Sequence, residues 1–294
     1  MFLGAPVLRL AGARAQAVSD GGGTVKLSDD LFVLRLPGEA NIVAQTSADG
    51  VVLVDGGSAG SSDAVMKAVA GLPGSGRVHT IFNTHWHPEQ TGSNERLGKA
   101  GAAIIAHESV LRRMTEAKPA LPFPALPTET YFTDIYKLSS HFNGEGIQLI
   151  HMPAAHTDGD SMVWFRGSDA ISTGDVFSTE TYPIIELDKG GSINGVIEAL
   201  NDILDLAFPE FRTEGGTMIV PGHGRISDSA DVAYYRDMVT IIRDRIQDMI
   251  KKGMTLEQVK AAKPTLDYDT RYDSSTWTKD MFVTAVYQSL NAKK

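Results

Sequence analysis

Two histidines separated by one residue stand in His85-Trp86-His87-Pro88-Glu89-Gln90, directly after Val78-His79-Thr80-Ile81-Phe82-Asn83, an apolar run that reads as a buried strand. In an extended or turning backbone both imidazoles of such a pair can converge on one ion. A third histidine, His156, stands in Ala154-Ala155-His156-Thr157-Asp158-Gly159-Asp160. Three neutral imidazoles and an open position make a catalytic zinc arrangement. A metal held in this way lowers the pKa of its bound water towards about 7 and supplies hydroxide at neutral pH. Two further candidate ligands follow: Asp175 in Thr173-Gly174-Asp175-Val176-Phe177, and His223 in Pro221-Gly222-His223-Gly224.

The order of these motifs resembles the metallo-β-lactamase superfamily of hydrolases, from about residue 31 to residue 226. That family carries His-x-His-x-Asp-His after a strand, then a His in a Gly/Thr-rich turn, a Gly-Asp at a strand end and a Gly-His near the last strand. The resemblance implies a first metal site of His85, His87 and His156. It implies a second site from Glu89, Asp175 and His223, with Gln90 where the family has an imidazole. An amide oxygen is a poor zinc ligand beside an imidazole nitrogen, and Glu89 is one methylene longer than the family's Asp. The expected cofactor is therefore one tightly held Zn2+, with the second site weak or absent.

By the same resemblance, Glu89 and Asp175 are the candidates to hold the attacking water and move its proton. Glu89 is either a ligand or a general base, and Gln90 either coordinates or hydrogen-bonds water or substrate. Asp55, in Val54-Asp55-Gly56-Gly57, orients a ligand histidine from behind. Asn41 lies near the rim and Tyr182 lines one wall, both as substrate contacts, while Trp86 packs under the metal loop. The implied reaction is hydrolysis of a β-lactam, lactone or ester by metal-bound hydroxide. Two alternatives stand beside it: a mononuclear iron enzyme of the sulfur dioxygenase kind, and a catalytically weak metal-binding protein.

The chain has 294 residues, 42% of them hydrophobic, a formal net charge of -9 and no cysteine. The acidic balance disfavours nucleic acid as a partner and leaves a small-molecule substrate. Without cysteine there are no disulfides, thiol nucleophiles or thiolate ligands. Residues 1–17 are rich in Ala, Leu, Val and Gly and end in Ala15-Gln16-Ala17, a small-x-small pattern that fits the end of a secretory signal. The expectation is a mature chain beginning near Val18, periplasmic or secreted, with a cytoplasmic enzyme as the alternative. No run approaches the ~18 apolar residues of a membrane span. Nothing specifies an oligomeric state.

Strand patterns occupy residues 31–36, 41–46 and 51–55, with an Asp49-Gly50 turn between the last two, which reads as an antiparallel meander. A helix over 61–71 has Ser61 or Ser62 as its N-cap. The buried strand 78–83 and the metal loop come next, then a helix over 92–100 and a strand over 102–106. His79, His141 and His151 read as surface or satisfied core positions; His107, which follows a strand and opens a further helix, reads the same way with a place near the site as its alternative. Pro119, Pro122, Pro124 and Pro127 mark a loop. Strands at 147–150, 161–166, 170–172 and 217–220 enclose a helix over 192–207, and helical patterns fill 230–252, 256–262 and 279–290. Strands, a helix, strands again and then helices predict a single α/β domain over 18–294 with a helical C-terminus. The resemblance makes it a four-layer αββα sandwich of two mixed β-sheets flanked by helices.

Overall fold

The computed structural model describes residues 23–139, 142–209 and 215–292. The signal segment 1–17, the start near Val18 and His141 lie outside the described residues. The chain opens with a four-strand antiparallel meander: β1 (Gly23–Lys26), β2 (Leu31–Arg35), β3 (Ile42–Ser47) and β4 (Gly50–Val54). Helix α1 (Ser62–Ala70) then leads to β5 (Val78–Phe82), a single turn α2 (Pro88–Thr91), α3 (Asn94–Lys99), β6 (Ala103–His107), α4 (Glu108–Thr115) and β7 (Glu129–Tyr131). From β4 to β7 the pairing is parallel, so the first sheet has seven strands in chain order and is mixed.

The second sheet holds β8 (Ile135–Leu138), β9 (Ile147–Met152), β10 (Asp160–Phe165), β11 (Ala170–Ser172) and, after α5 (Ile193–Leu206), β12 (Met218–Val220), which pairs parallel to β11. The chain ends in α6 (Ser229–Lys251), α7 (Leu256–Ala261), α8 (Asp269–Tyr272) and α9 (Lys279–Asn291).

Side-chain alternation along the strands explains the layers. Leu31, Val33, Val52, Val54 and Phe82 of the first sheet pack against Leu149, Val163 and Phe165 of the second. Their neighbours Phe32, Leu34, Leu53 and Ile81 face the other way, onto Val65 and Val69 of α1 and Leu97 of α3. On the far side, Met152, Met162, Ile171 and Ile219 meet a helical layer through Leu200, Val239, Ile242 and Phe282. This is the expected αββα order. Helix α6 buries Val232, Tyr235, Val239, Ile242 and Ile246 at three- and four-residue spacing, and the Asp228 side chain caps it by accepting from Asp231 N.

Three details differ from the expectation. Ser61 precedes α1, but its hydroxyl is turned to Glu39 and caps nothing. The helix expected over 92–100 is broken, because Gly92 lies against the backbone of residues 57–59 and the Ser93 hydroxyl donates to the Gly56 carbonyl, which bends the chain there. Strands β1, β7 and β8 were not legible: they are three or four residues long, largely exposed, and lie at sheet edges. No helix among the described residues is long and apolar enough to cross a membrane.

His107 is buried at the end of β6, its ring stacked on that of His151 with centroids 3.5 Å apart. Burial first, then His151 and Arg112, against the opposing charge of Asp158, push it from 6.5 down to about 4. The unfolded chain therefore binds more protons between these values, and stability falls as pH drops from 6.5 towards 4. Urea midpoints of metal-free protein should show this fall, and His107→Phe should flatten its slope; an unchanged slope refutes the assignment.

Candidate metal centre

Five loops at one end of the sandwich build the site. They follow β4 (Asp55), β5 (His85, His87, Glu89), β9 (His156), β11 (Asp175) and β12 (His223). Pro88 opens α2 directly after His87, so the chain turns at once and carries Glu89 and Gln90 back towards the cluster.

The three imidazoles meet edge to face. His87 Nδ1 lies 3.1 Å from His85 Nε2 and 3.3 Å from His156 Nε2. The other nitrogen of each ring faces an oxygen. His156 Nδ1 donates to the Ile184 carbonyl over 2.9 Å. His87 Nε2 lies 2.9 Å from Glu186 Oε1. His85 Nδ1 lies 3.1 Å from Thr84 Oγ1, whose own proton goes to Asp55 Oδ2 at 2.8 Å. These outer contacts select the tautomers that leave the three inward nitrogens as lone-pair donors. Three neutral nitrogens facing one another at hydrogen-bond distance with no proton to share is unfavourable, unless a cation stands among them.

Asp175 joins the two halves of the site. Its Oδ2 is 3.6 Å from His85 Nε2 and its Oδ1 is 3.8 Å from His223 Nε2. His85, His87, His156 and Asp175 form one group with atoms that could hold a metal ion; Glu89, Asp175 and His223 form a second. Asp175 Oδ1 is buried without a hydrogen-bond partner, and so are both amide atoms of Gln90. Buried polar atoms without partners are uncommon and cost about 1–3 kcal/mol each. Their presence beside the two ligand groups fits a bound cation. Gly222 is needed here, since a methyl at that position would strike Asp175 Oδ1.

The electrostatics differ between the rings. Burial, then the neighbouring imidazoles, holds His85 well below its ordinary value, so it is neutral and able to coordinate. Burial also lowers His87, but the hydrogen bond and charge of Glu186 outweigh it and raise the group. Asp55, in the left-handed region at φ 62°, is buried and pushed up to about 8, against two bonds from Thr84. A divalent cation in the cluster would pull it back down.

The expected positions of His85, His87, His156, Asp175, His223, Glu89 and Asp55 come together. Of the two expected substrate contacts, Tyr182 is among the residues that line the cavity beside Asp175 and His223, with its ring turned into the core, and Asn41 is committed to backbone carbonyls. Asn41 donates its amide to the Pro221 and Gly224 carbonyls at 2.8 and 3.0 Å, so it ties down the His223 loop. Tyr182 is fully buried and stacked on Phe282, with its hydroxyl 3.0 Å from Asp269 Oδ1. Sequence reasoning missed Thr84 and Glu186. Thr84 adjoins a candidate ligand, which is a usable signal, but Glu186 lies in a loop with no motif around it. It also missed Asp160, which holds the His156 loop by accepting from Thr157 N and Oγ1 at 2.7 and 2.8 Å. Glu186→Ala should lower metal affinity about 10–100-fold, measured by competition with a chelator; no change would show that His87 needs no outer partner.

A cavity of about 180 Å³ adjoins Asp175 and His223, with Ser178, Glu180, Thr181 and Thr276 among its walls. A larger groove of about 690 Å³ touches Trp86, Glu186 and Trp277. It touches Glu186, the partner of the outer nitrogen of His87, and none of the candidate ligands, so the smaller cavity is the one that faces the chemistry.

This fold and site define a class. The family model of the metallo-β-lactamase superfamily matches residues 35–226, and the chain belongs to that superfamily. Solved structures agree in fold. A metallo-β-lactamase from Pontibacter korlensis is 15% identical, with a TM-score of 0.60 over 75% of this chain and 99% of that one. The DIM-1 metallo-β-lactamase is 17% identical, with a TM-score of 0.59 over 74% and 97%. The stereoselective inverting sec-alkylsulfatase Pisa1 from Pseudomonas sp. is 13% identical, with a TM-score of 0.67 over 91% of this chain and 50% of that one. No curated protein sequence matches the chain significantly.

Proposed function

We propose that the protein is a zinc-dependent hydrolase of carbonyl compounds, acting on a small ester, lactone or lactam. The observation that carries this reading is the convergence of three imidazoles whose outer nitrogens are all committed to oxygen partners. His85, His87 and His156 would hold the tight metal with Asp175 Oδ2 beside them; Glu89, Asp175 Oδ1 and His223 would hold a second, weaker one. A bound zinc ion supplies Lewis acidity and an activated water. The chain's own groups do the rest. Asp175 Oδ1, a buried acceptor with no partner, is placed to take the proton of the attacking water. Glu89, half-exposed at the mouth with its Oε1 3.9 Å from His87 Nδ1, is placed to pass that proton on. Water adds across the acyl bond, the leaving oxygen or nitrogen takes the proton, and a carboxylic acid results.

The choice between this reading and an iron oxygenase turns on the metal. Elemental analysis after aerobic purification, with an ester, lactone and β-lactam panel run with and without chelator, tests it. Iron with no hydrolysis would refute it. Export belongs to the same reading, on the Ala15-Gln16-Ala17 pattern, and intact mass from the native host tests it: a mature chain starting near Val18 supports export, and an uncut chain opposes it. The partner is a small molecule; the formal net charge of -9 argues against nucleic acid.

A further inference from the structure

Residues 182–191, between Asp175 and α5, hold two of the three imidazoles. The Ile184 carbonyl accepts from His156 Nδ1 over 2.9 Å, and Glu186 Oε1 lies 2.9 Å from His87 Nε2. The backbone closes the same grip. Glu186 N donates to the His156 carbonyl at 3.0 Å, and Asp158 N donates to the Lys189 carbonyl at 2.9 Å. Gly191 comes so near that a methyl group there would strike the His156 carbonyl. The outer face of the segment is open, since Glu186, Leu187, Asp188 and Lys189 line the larger groove.

The ties on this segment come from the end of the chain. The Trp277 indole N–H donates to the Pro183 carbonyl over 3.0 Å, one peptide ahead of the carbonyl that His156 uses. Trp277 is itself set, because its backbone N–H donates to Ser274 Oγ at 3.0 Å. Tyr182 is fixed beside it: its N–H donates to the Tyr272 carbonyl at 3.2 Å, and its ring stacks on Phe282 with centroids 4.8 Å apart. All of these partners follow α6, beyond the residues 35–226 that the family model matches. The end of the chain therefore reaches the metal centre through one short segment.

We propose that the stretch from α8 to α9 positions the metal centre, with Trp277 as its positioning residue. The bond to Pro183 fixes the peptide ahead of Ile184, and through it the oxygens that orient His156 and His87. This rests on the metal-site reading for its consequence but not for its geometry. Outer partners set the tautomer and orientation of a coordinating imidazole. A ring whose acceptor has drifted must be realigned when the ion binds, and the cost appears as weaker binding. Loss of one neutral hydrogen bond sets the scale, a factor of about five.

The test compares two exchanges of the same kind. Trp277→Phe keeps an aromatic ring and removes the N–H. Trp164→Phe does the same on β10, against the same helical core, where the indole N–H has no partner. Zinc affinity, by chelator competition, should fall about fivefold in Trp277→Phe and stay unchanged in Trp164→Phe. In metal-free protein, long-range proton–nitrogen spectra should show the ring signals of His156 and His87 displaced by Trp277→Phe and unmoved by Trp164→Phe. Ser274→Ala, which loosens Trp277 without touching its ring, should act in the same direction and serves if Trp277→Phe does not fold. Displaced ring signals in a protein that binds no zinc would end the metal reading and leave the positioning in place. Unmoved signals or an unchanged zinc affinity in Trp277→Phe overturn the proposal, and so does an equal fall in affinity in both tryptophan variants.

Discussion

His87→Ala should remove tight metal binding and turnover together. His87 is the hub of the first site: its Nδ1 lies 3.1 Å from His85 Nε2, 3.3 Å from His156 Nε2 and 3.9 Å from Glu89 Oε1. Its outer nitrogen is held by Glu186 at 2.9 Å. Truncation leaves two imidazoles and Asp175, one nitrogen donor short of the three-imidazole set. The loss in affinity should exceed the ~10–100-fold that removing an outer partner costs, and hydrolysis should drop to background. Chelator competition and turnover measure it, and circular dichroism checks that the fold persists. Full turnover in His87→Ala would contradict a zinc mechanism whatever the fold.

The double change Glu89→Asp, Gln90→His should create a second tight metal position. Gln90 is fully buried with neither amide atom hydrogen-bonded, so an imidazole would replace an amide that forms no bond in the protein. The shorter carboxylate and the nitrogen donor restore the pattern that His-x-His-x-Asp-His provides in the family. Imidazole suits zinc far better than an amide oxygen. Affinity for the second zinc should rise at least about tenfold, or ~1.4 kcal/mol, read by titration of metal-free protein. An unchanged second affinity would mean that Glu89 and Gln90 are not what weakens the site.

Much of this was legible in the sequence because the strands that carry the site are buried and apolar. Val51–Val54 and Val78–Phe82 announce themselves, and the residues that follow them, Asp55 and His85, are then placed by chain continuity. His156, Asp175 and His223 were legible through glycine-rich turns at strand ends. The groups that fix the rings were not. Glu186 reaches His87 across 99 positions of chain, from a loop with no periodicity and no motif. Tyr182 shows a mixed outcome: it lines the cavity beside Asp175, but its ring is directed into the core. It is close in sequence to Asp175, but burial of its ring against Phe282 and Tyr272 decides its place, and that packing depends on C-terminal helices far along the chain. Asn41 is buried, and its amide is spent on two backbone carbonyls of the His223 loop, which no local signal around it announces.

The metal-dependent hydrolysis proposed for His85, His87 and His156 is tested most directly by metal stoichiometry combined with turnover. Zinc per chain is measured after dialysis, and hydrolysis of a neutral ester and lactone panel is followed before chelation, after chelation and after zinc is restored. The account predicts one tight zinc per chain, loss of hydrolysis when it is removed and recovery when it returns. Hydrolysis that persists undiminished in the metal-free protein would contradict it.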